Sequence, residues 1–182
     1  MNPLDLEEIV LIPKNRVGAL IGEEGKTKKL IQAKTKTKLK IDSKSGEVEI
    51  QAEEKNSEKF QKALNIVKAI GRGFSPQNAL LLLREENFLE IIELEQFTGK
   101  SPKLMHSKKS RVIGSEGKIR EKIEKSTGTK VSVFGKTIAL IGDLEAIEKA
   151  KHAIEILLEG ASHDSMNSYL QREERGSKKF EL

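Results

Sequence analysis

Residues 22–41 read Gly-Glu-Glu-Gly-Lys-Thr-Lys-Lys-Leu-Ile-Gln-Ala-Lys-Thr-Lys-Thr-Lys-Leu-Lys-Ile, and residues 114–133 read Gly-Ser-Glu-Gly-Lys-Ile-Arg-Glu-Lys-Ile-Glu-Lys-Ser-Thr-Gly-Thr-Lys-Val-Ser-Val. At a fixed offset of 92, eight of these twenty positions are identical: Gly22/Gly114, Glu24/Glu116, Gly25/Gly117, Lys26/Lys118, Ile31/Ile123, Thr35/Thr127, Thr37/Thr129 and Lys38/Lys130. Lys28/Arg120, Leu39/Val131 and Ile41/Val133 keep their character. One Gly-x-x-Gly carries almost no information. The same loop twice, each time between a helix pattern and an alternating strand, decides the reading.

Outward from the loops, one order of elements appears twice. Residues 8–12 are rich in β-branched side chains and stop at Pro13, which marks a strand. Val17, Leu20 and Ile21 sit at helical spacing and end at Gly22. A second helix runs from Gly25 to about Lys34. Residues 38–42 and 47–51 alternate polar and apolar, so they pair as a hairpin. Phe60, Ala63, Leu64, Val67 and Ile70 then stripe a helix over 56–70. In the second copy the strand is expected at 89–94, and Val112 and Ile113 precede the glycines. Ile119 and Ile123 give the next helix its inward face, a hairpin joins 130–134 to 137–141, and Ile147, Ala150, Ile154, Leu157 and Leu158 stripe the last helix. The second copy has about ten more residues between first strand and loop, and its hairpin turn is shorter by two.

At 182 residues the chain has room for one or two domains, and the repeat favours two. The units are expected at 5–73 and 88–160, with a connecting helix at 74–87 and a tail at 161–182. Ser75-Pro76 opens the connector, whose apolar body from 79 to 83 is expected to pack the units together rather than wave in solvent. The tail is polar, with a short helix expected around Tyr169 and Leu170 and disorder from Gly176 to Leu182. No run approaches a bilayer span, the start lacks a signal peptide, and zero cysteines fit a reducing, cytoplasmic setting.

Net charge is +5, and its distribution says more than its size. Residues 26–40 hold seven lysines (26, 28, 29, 34, 36, 38, 40) and no acid. Lys103, Lys108, Lys109 and Arg111 precede the second loop, whereas 84–95 is acidic, with Glu85, Glu86, Glu90, Glu93 and Glu95. Lysine runs are often only solvated faces, but two of them beside repeated glycine loops favour a polyanion.

Three other functions compete. Gly25-Lys26-Thr27 imitates the end of a nucleotide-binding P-loop, but that motif needs a glycine five residues earlier, where Leu20 stands. Glu86, Glu90 and Glu93 would share one face for a metal-dependent nuclease if 84–95 were helical; a solvated acidic face has the same spacing, and part of the stretch is wanted as strand. A protein-interaction module could use the acidic segment and the connector. The histidines (106, 152 and 163) are scattered, and no nucleophile–base pair emerges. The reading is therefore non-enzymatic, with no cofactor and no metal.

A helix, a two-glycine turn and a second helix leave backbone amides at the start of that helix, where amides and dipole favour an anion. Glycine allows positive φ and lets a phosphodiester approach without meeting a Cβ; a tight helix–helix turn alone would also want it. Lys26, Lys28 and Lys29 in one copy, and Lys118, Arg120 and Lys122 in the other, add charge. Leu39 and Ile41, or Val131 and Val133, are expected to form an apolar wall opposite, making a groove for a single strand. With no Trp and one tyrosine, aromatic stacking is not its main means of holding bases.

The order β-α-GxxG-α-β-β-α resembles a type I KH domain, with Gly22-Glu23-Glu24-Gly25 and Gly114-Ser115-Glu116-Gly117 as its loops, over roughly 8–70 and 88–158. With Val-Leu-Ile-Pro-Lys-Asn-Arg-Val-Gly at 10–18 and Val-Phe-Gly-Lys-Thr-Ile-Ala-Leu-Ile-Gly at 133–142, the whole chain is similar to the archaeal relatives of the small-subunit assembly factor family called Partner of NOB-one or Dim-two. The resemblance implies an α+β fold of two tandem type I KH domains, each a three-stranded antiparallel sheet with helices on one face. It implies single-stranded RNA near the 3′ end of small-subunit rRNA as ligand, with an rRNA-trimming endonuclease and an initiation-factor subunit as partners. The RNA-binding positions are then Gly22, Glu23, Glu24, Gly25, Lys26, Lys28, Lys29, Leu39 and Ile41, and Lys108, Lys109, Arg111, Ile113, Gly114, Ser115, Glu116, Gly117, Lys118, Arg120, Lys122, Val131 and Val133. KH loops commonly carry a basic residue between the glycines. Here Glu23 and Glu24 stand in the first loop and Glu116 in the second, so like-charge repulsion should weaken the first loop more. The alternative is an adaptor or accessory factor with KH-like units and little RNA specificity of its own.

Overall fold

The computed structural model describes residues 5–179, which divide into two compact units between Glu85 and Glu86. In the first, β1 (Asp5–Leu11) is followed by α1 (Lys14–Ile21), the glycine loop, α2 (Lys26–Thr35), the hairpin β2 (Lys38–Ile41) and β3 (Glu47–Glu53), and α3 (Ser57–Gly71). The sheet order is β1-β3-β2, antiparallel throughout. Alternation decides which face is covered: Val48, Ile50 and Ala52 point inward from β3, and Leu39 lies opposite Ile50. The helical stripe of α3 closes the core, with Phe60, Ala63, Leu64, Val67 and Ile70 all buried. The outer face of β1 leaves Ile9 and Leu11 at 62% and 66% exposure.

The connector belongs to the first unit. Ser75 caps α4 (Pro76–Ala79) by accepting from the Asn78 amide at 3.2 Å, with Pro76 at the first helical position. A 3-10 turn over Leu80–Leu83 follows, Ala79 and Leu82 are buried, and both segments lie against α3.

The second unit repeats the plan with β4 (Phe88–Glu93), α5 (Glu95–Thr98), α6 (Pro102–Ile113), the second loop, α7 (Lys118–Thr127), β5 (Lys130–Phe134), β6 (Thr137–Gly142) and α8 (Leu144–Leu158). Its sheet order is β4-β6-β5. The extra residues before the loop form α5 and lengthen the following helix, which Ser101 and Pro102 start as Ser75 and Pro76 start α4. The α+β fold of two three-stranded antiparallel sheets thus matches the expectation.

The strand expected at 89–94 is β4, so the helical face that a nuclease reading of Glu86, Glu90 and Glu93 would need is not formed. Glu90 instead pairs with Lys151 at 2.6 Å, and Glu95 with Lys136 at 2.7 Å, hydrogen bonds that raise both lysine pKa values. Among the described residues no cluster of His, Asp or Glu could hold a metal. One expectation changes, because the tail is more ordered than its polarity suggests: α9 (His163–Lys179) is a single helix whose Met166 and Leu170 enter the core of the second unit. Part of the stretch expected to be disordered, up to Lys179, is therefore helical, and the rest of that expectation, 180–182, lies outside the described residues. No helix among the described residues is long and apolar enough to cross a membrane.

Candidate nucleic-acid interface

Each glycine loop is a single 3-10 turn between two helices, and the two copies coincide in backbone. Gly22, Glu24 and Gly25 have φ/ψ of 72/173, 51/26 and 74/15; Gly114, Glu116 and Gly117 have 71/177, 54/24 and 77/9. The glutamates at 24 and 116 are non-glycine residues held at positive φ, a conformation that costs free energy and persists only where surrounding structure imposes it.

The two glycines of each loop do different work. A Cβ on Gly22 would sit 2.8 Å from the Thr27 amide nitrogen, and one on Gly114 would sit 3.0 Å from that of Ile119 and 2.4 Å from its side chain. The first glycine is therefore needed for the turn itself. At Gly25 the nearest atom to a Cβ is Cε of Lys29 at 3.8 Å, and at Gly117 a guanidinium nitrogen of Arg120 at 3.7 Å. The second glycine presents an open backbone face with a cation beside it.

The set of free amides is smaller than expected. Gly25 donates to the Gly22 carbonyl at 3.2 Å and Lys26 to that of Glu23, closing the turn; Gly117 and Lys118 do the same to Gly114 and Ser115. What remains for an anion is the bare second glycine, the start of the following helix and the adjacent cations.

Those cations are not equally available. Lys26 lies 3.5 Å and 3.7 Å from the Glu23 and Glu24 carboxylates, so one cation faces two acids. In the second loop Lys118 faces Glu116 alone, at 3.0 Å. Lys29 donates to the Glu24 carbonyl at 3.3 Å, Lys28 and Arg120 are half-buried, and Lys122 and Ser115 are exposed. Lys108, Lys109 and Arg111 do not form a field in front of the second loop. Lys109 donates to the Gly135 carbonyl at 3.0 Å, and the Lys108 ammonium lies beside Gly160. The Arg111 guanidinium is held by the carbonyls of Leu157, at 3.2 Å, and Ala161, where α8 ends. Arg16 does the same in the first unit, on the carbonyls of Ile70 and Phe74 at 2.8 and 2.6 Å. Both arginines neutralise the negative end of a helix.

The apolar wall is likewise half of what was expected. Leu39 and Val131 are buried at 2% and 4% exposure and have no face left for a ligand. Ile41 and Val133, one pleat further along, are half-buried, as are Ile21 and Ile113 at the ends of the helices before the loops.

Two sets of side-chain bonds behind the loops escaped the sequence reading. The repeated threonines are rungs, all buried but the half-buried Thr127: Thr35 donates to the Ile31 carbonyl at 2.7 Å and bonds the Thr37 hydroxyl at 2.8 Å, and Thr127 does so to Ile123 and Thr129 at 2.8 and 2.9 Å. They tie the end of the loop's helix to the strand. Between them, Gln32 Oε1 accepts from the Leu39 amide at 2.8 Å, and Glu124 Oε1 from the Val131 amide at 2.8 Å. The signal that could have found them was the repeat offset, which aligns 32 with 124.

Comparison with known proteins agrees with this geometry. A family model described as a eukaryotic-type KH domain (KH domain type I) matches residues 88–175, and a KH-domain model matches residues 7–66. A KH domain-containing protein of Methanocaldococcus jannaschii is 45% identical over 179 residues, covering 96% of this chain and 78% of the relative. A chain in the crystal structure of the a/eIF2alpha–aDim2p–rRNA complex from Pyrococcus horikoshii OT3 superposes with a TM-score of 0.90 at 44% identity, over 96% of this chain and 97% of that one. The pre-rRNA-processing protein PNO1 of Chaetomium thermophilum is 27% identical over 155 residues, 82% of this chain and 59% of the relative. With two loops of one geometry on two like sheets, and a solved relative that matches nearly end to end, the chain belongs to the KH-domain family of archaeal Dim2p and eukaryotic PNO1.

Proposed function

We propose that the chain is a non-catalytic cytoplasmic factor of small-subunit ribosome assembly, binding single-stranded rRNA near the 3′ end of the small-subunit RNA through its glycine loops. The observation that carries this reading is the pair of bare second glycines, Gly25 and Gly117, each with a basic side chain within 4 Å of the missing Cβ. A phosphodiester can lie against such a surface, and half-buried Ile41 or Val133 can meet the face of an unstacked base. The names of relatives point the same way: one processes pre-rRNA, and another is found in a complex with rRNA and a/eIF2alpha. An initiation-factor subunit and an rRNA-trimming endonuclease are accordingly the protein partners we propose.

The second unit supplies the firmer grip. Its loop sets one acid against one lysine, with the Arg120 guanidinium over Gly117, whereas the first sets two acids against one lysine. The test is fluorescence anisotropy with a short oligomer of the rRNA 3′ end. Gly117→Asp places a carboxylate in open space at a left-handed φ that Asp tolerates, and is expected to weaken binding roughly tenfold, with Gly25→Asp weakening it about twofold. Equal losses would overturn the division of labour. Unchanged binding in the double variant would leave the loops as corners only, and the chain as a protein adaptor.

A further inference from the structure

β5 is an edge strand, paired to β6 on one side only, and its other edge faces α7. The Val131 amide points to that open edge and is satisfied by Glu124 Oε1 at 2.8 Å. Glu124 is half-buried, on the helix that the second glycine loop opens and one rung from the part-buried Thr127–Thr129 pair. Held this way, the carboxylate bridges α7 and β5, the two elements that wall the candidate groove. An ionised carboxylate has about four acceptor sites and no donor, so one bond to Val131 leaves it able to accept from a ligand. The first unit has the same bridge at the same repeat position, from Gln32 to the Leu39 amide at 2.8 Å, made by a neutral carboxamide that both donates and accepts.

We infer that Glu124 is a specificity-determining residue of the second groove, selecting bases that carry an exocyclic amine and rejecting uracil; this rests on the RNA-binding reading above. Adenine and cytosine present an amino donor at the edge of the ring, which a carboxylate accepts. Uracil flanks its single N3–H with two carbonyl oxygens, whose lone pairs oppose the carboxylate. Gln32 offers an N–H to a uracil carbonyl and an oxygen to its N3–H, so the first groove tolerates every base. The two grooves thus differ in discrimination at one matched position, while their loops share one backbone.

Because Gln32 already fills this place in the first unit, Glu124→Gln keeps an acceptor for the Val131 amide and is expected to fold normally. The experiment measures the affinity of the full chain for eight-nucleotide oligo(rC), oligo(rA) and oligo(rU) at one fixed salt concentration. The native chain is expected to bind oligo(rU) about tenfold more weakly than the other two, the size of one charge-assisted hydrogen bond. Glu124→Gln should narrow the gap to within about twofold, chiefly by improving oligo(rU). The reciprocal Gln32→Glu should widen it, and it stands as the test if Glu124→Gln melts early. A native chain that does not discriminate, or a gap unchanged in both variants, overturns the inference while leaving RNA binding intact. Failure to bind any oligomer overturns the RNA-binding reading itself, and this inference with it.

Discussion

Lys36 and Gly128 occupy one place in the two units, the C-cap of the helix behind each loop, and both are left-handed, at φ 52° and 80°. Only glycine adopts that conformation without a Cβ penalty, so the first unit carries strain that the second avoids. Lys36→Gly is expected to stabilise the chain by about 0.5–1 kcal/mol, the steric relief minus the greater entropy lost by glycine on folding. Chemical denaturation reads the change; a loss of stability would mean that Lys36 makes a compensating contact. The first glycine of each loop behaves in the opposite way. Gly114→Asp drives a Cβ into the Ile119 backbone and side chain, and Gly22→Asp drives one into Thr27. Both are expected to lower the melting temperature strongly as well as RNA affinity, whereas Gly25→Asp and Gly117→Asp meet no clash and carry only the smaller cost of a side chain at left-handed φ, so their loss of affinity outweighs a small loss of melting temperature. Thermal melts run beside the binding curves separate the two classes.

At the scale of elements, α9 is the largest departure from what its residues advertise. Met166 is 0% and Leu170 2% exposed, one helical turn apart, with Tyr169 edge-on to His152 at 4.6 Å between ring centroids. Leu170→Ala is expected to destabilise the chain by about 2–5 kcal/mol, the range for a buried leucine, and the loss should show in denaturant melts. An effect below 1 kcal/mol would mean that α9 docks only loosely. Three apolar residues on a helix of seventeen make too narrow a stripe to stand out in a polar sequence, and only the core of the second unit tells them what to do. The strands and other main helices were legible because their periodicity is strong: β3 alternates over its full length and α3 repeats its stripe through four turns. The lysine run from 26 to 40 is divided by the fold. It crosses from helix to strand, so Lys38 and Lys40 turn to the exposed face of the sheet, where Lys40 pairs with Glu49 at 2.8 Å, and the run is shared between two elements. Gln32 and Glu124 were invisible because a bond from helix to strand edge depends on how closely the two approach, which no local pattern encodes.

For the whole molecule the consequence is electrostatic. A net charge of +5 sets a weak background attraction for RNA, but the salt dependence of binding counts only cations that neutralise phosphates, at about −0.7 in log affinity per log salt for each. Arg111 and Arg120 are nine residues apart and formally equal, yet their surroundings differ. Arg111 is held by the carbonyls that end α8, while the Arg120 guanidinium lies over the open face of Gly117. Arg120→Ala is therefore expected to lower the magnitude of the salt slope by roughly 0.7 and to weaken binding to every oligomer alike, with little change in melting temperature. Arg111→Ala should leave the slope where it is and lower the melting temperature, because the end of α8 loses the cation that offsets its dipole. Affinities measured across a salt series, with melts of the same preparations, decide between location and total charge. If both substitutions reduce the slope equally, RNA responds to the overall field and the second glycine loop holds no privileged phosphate.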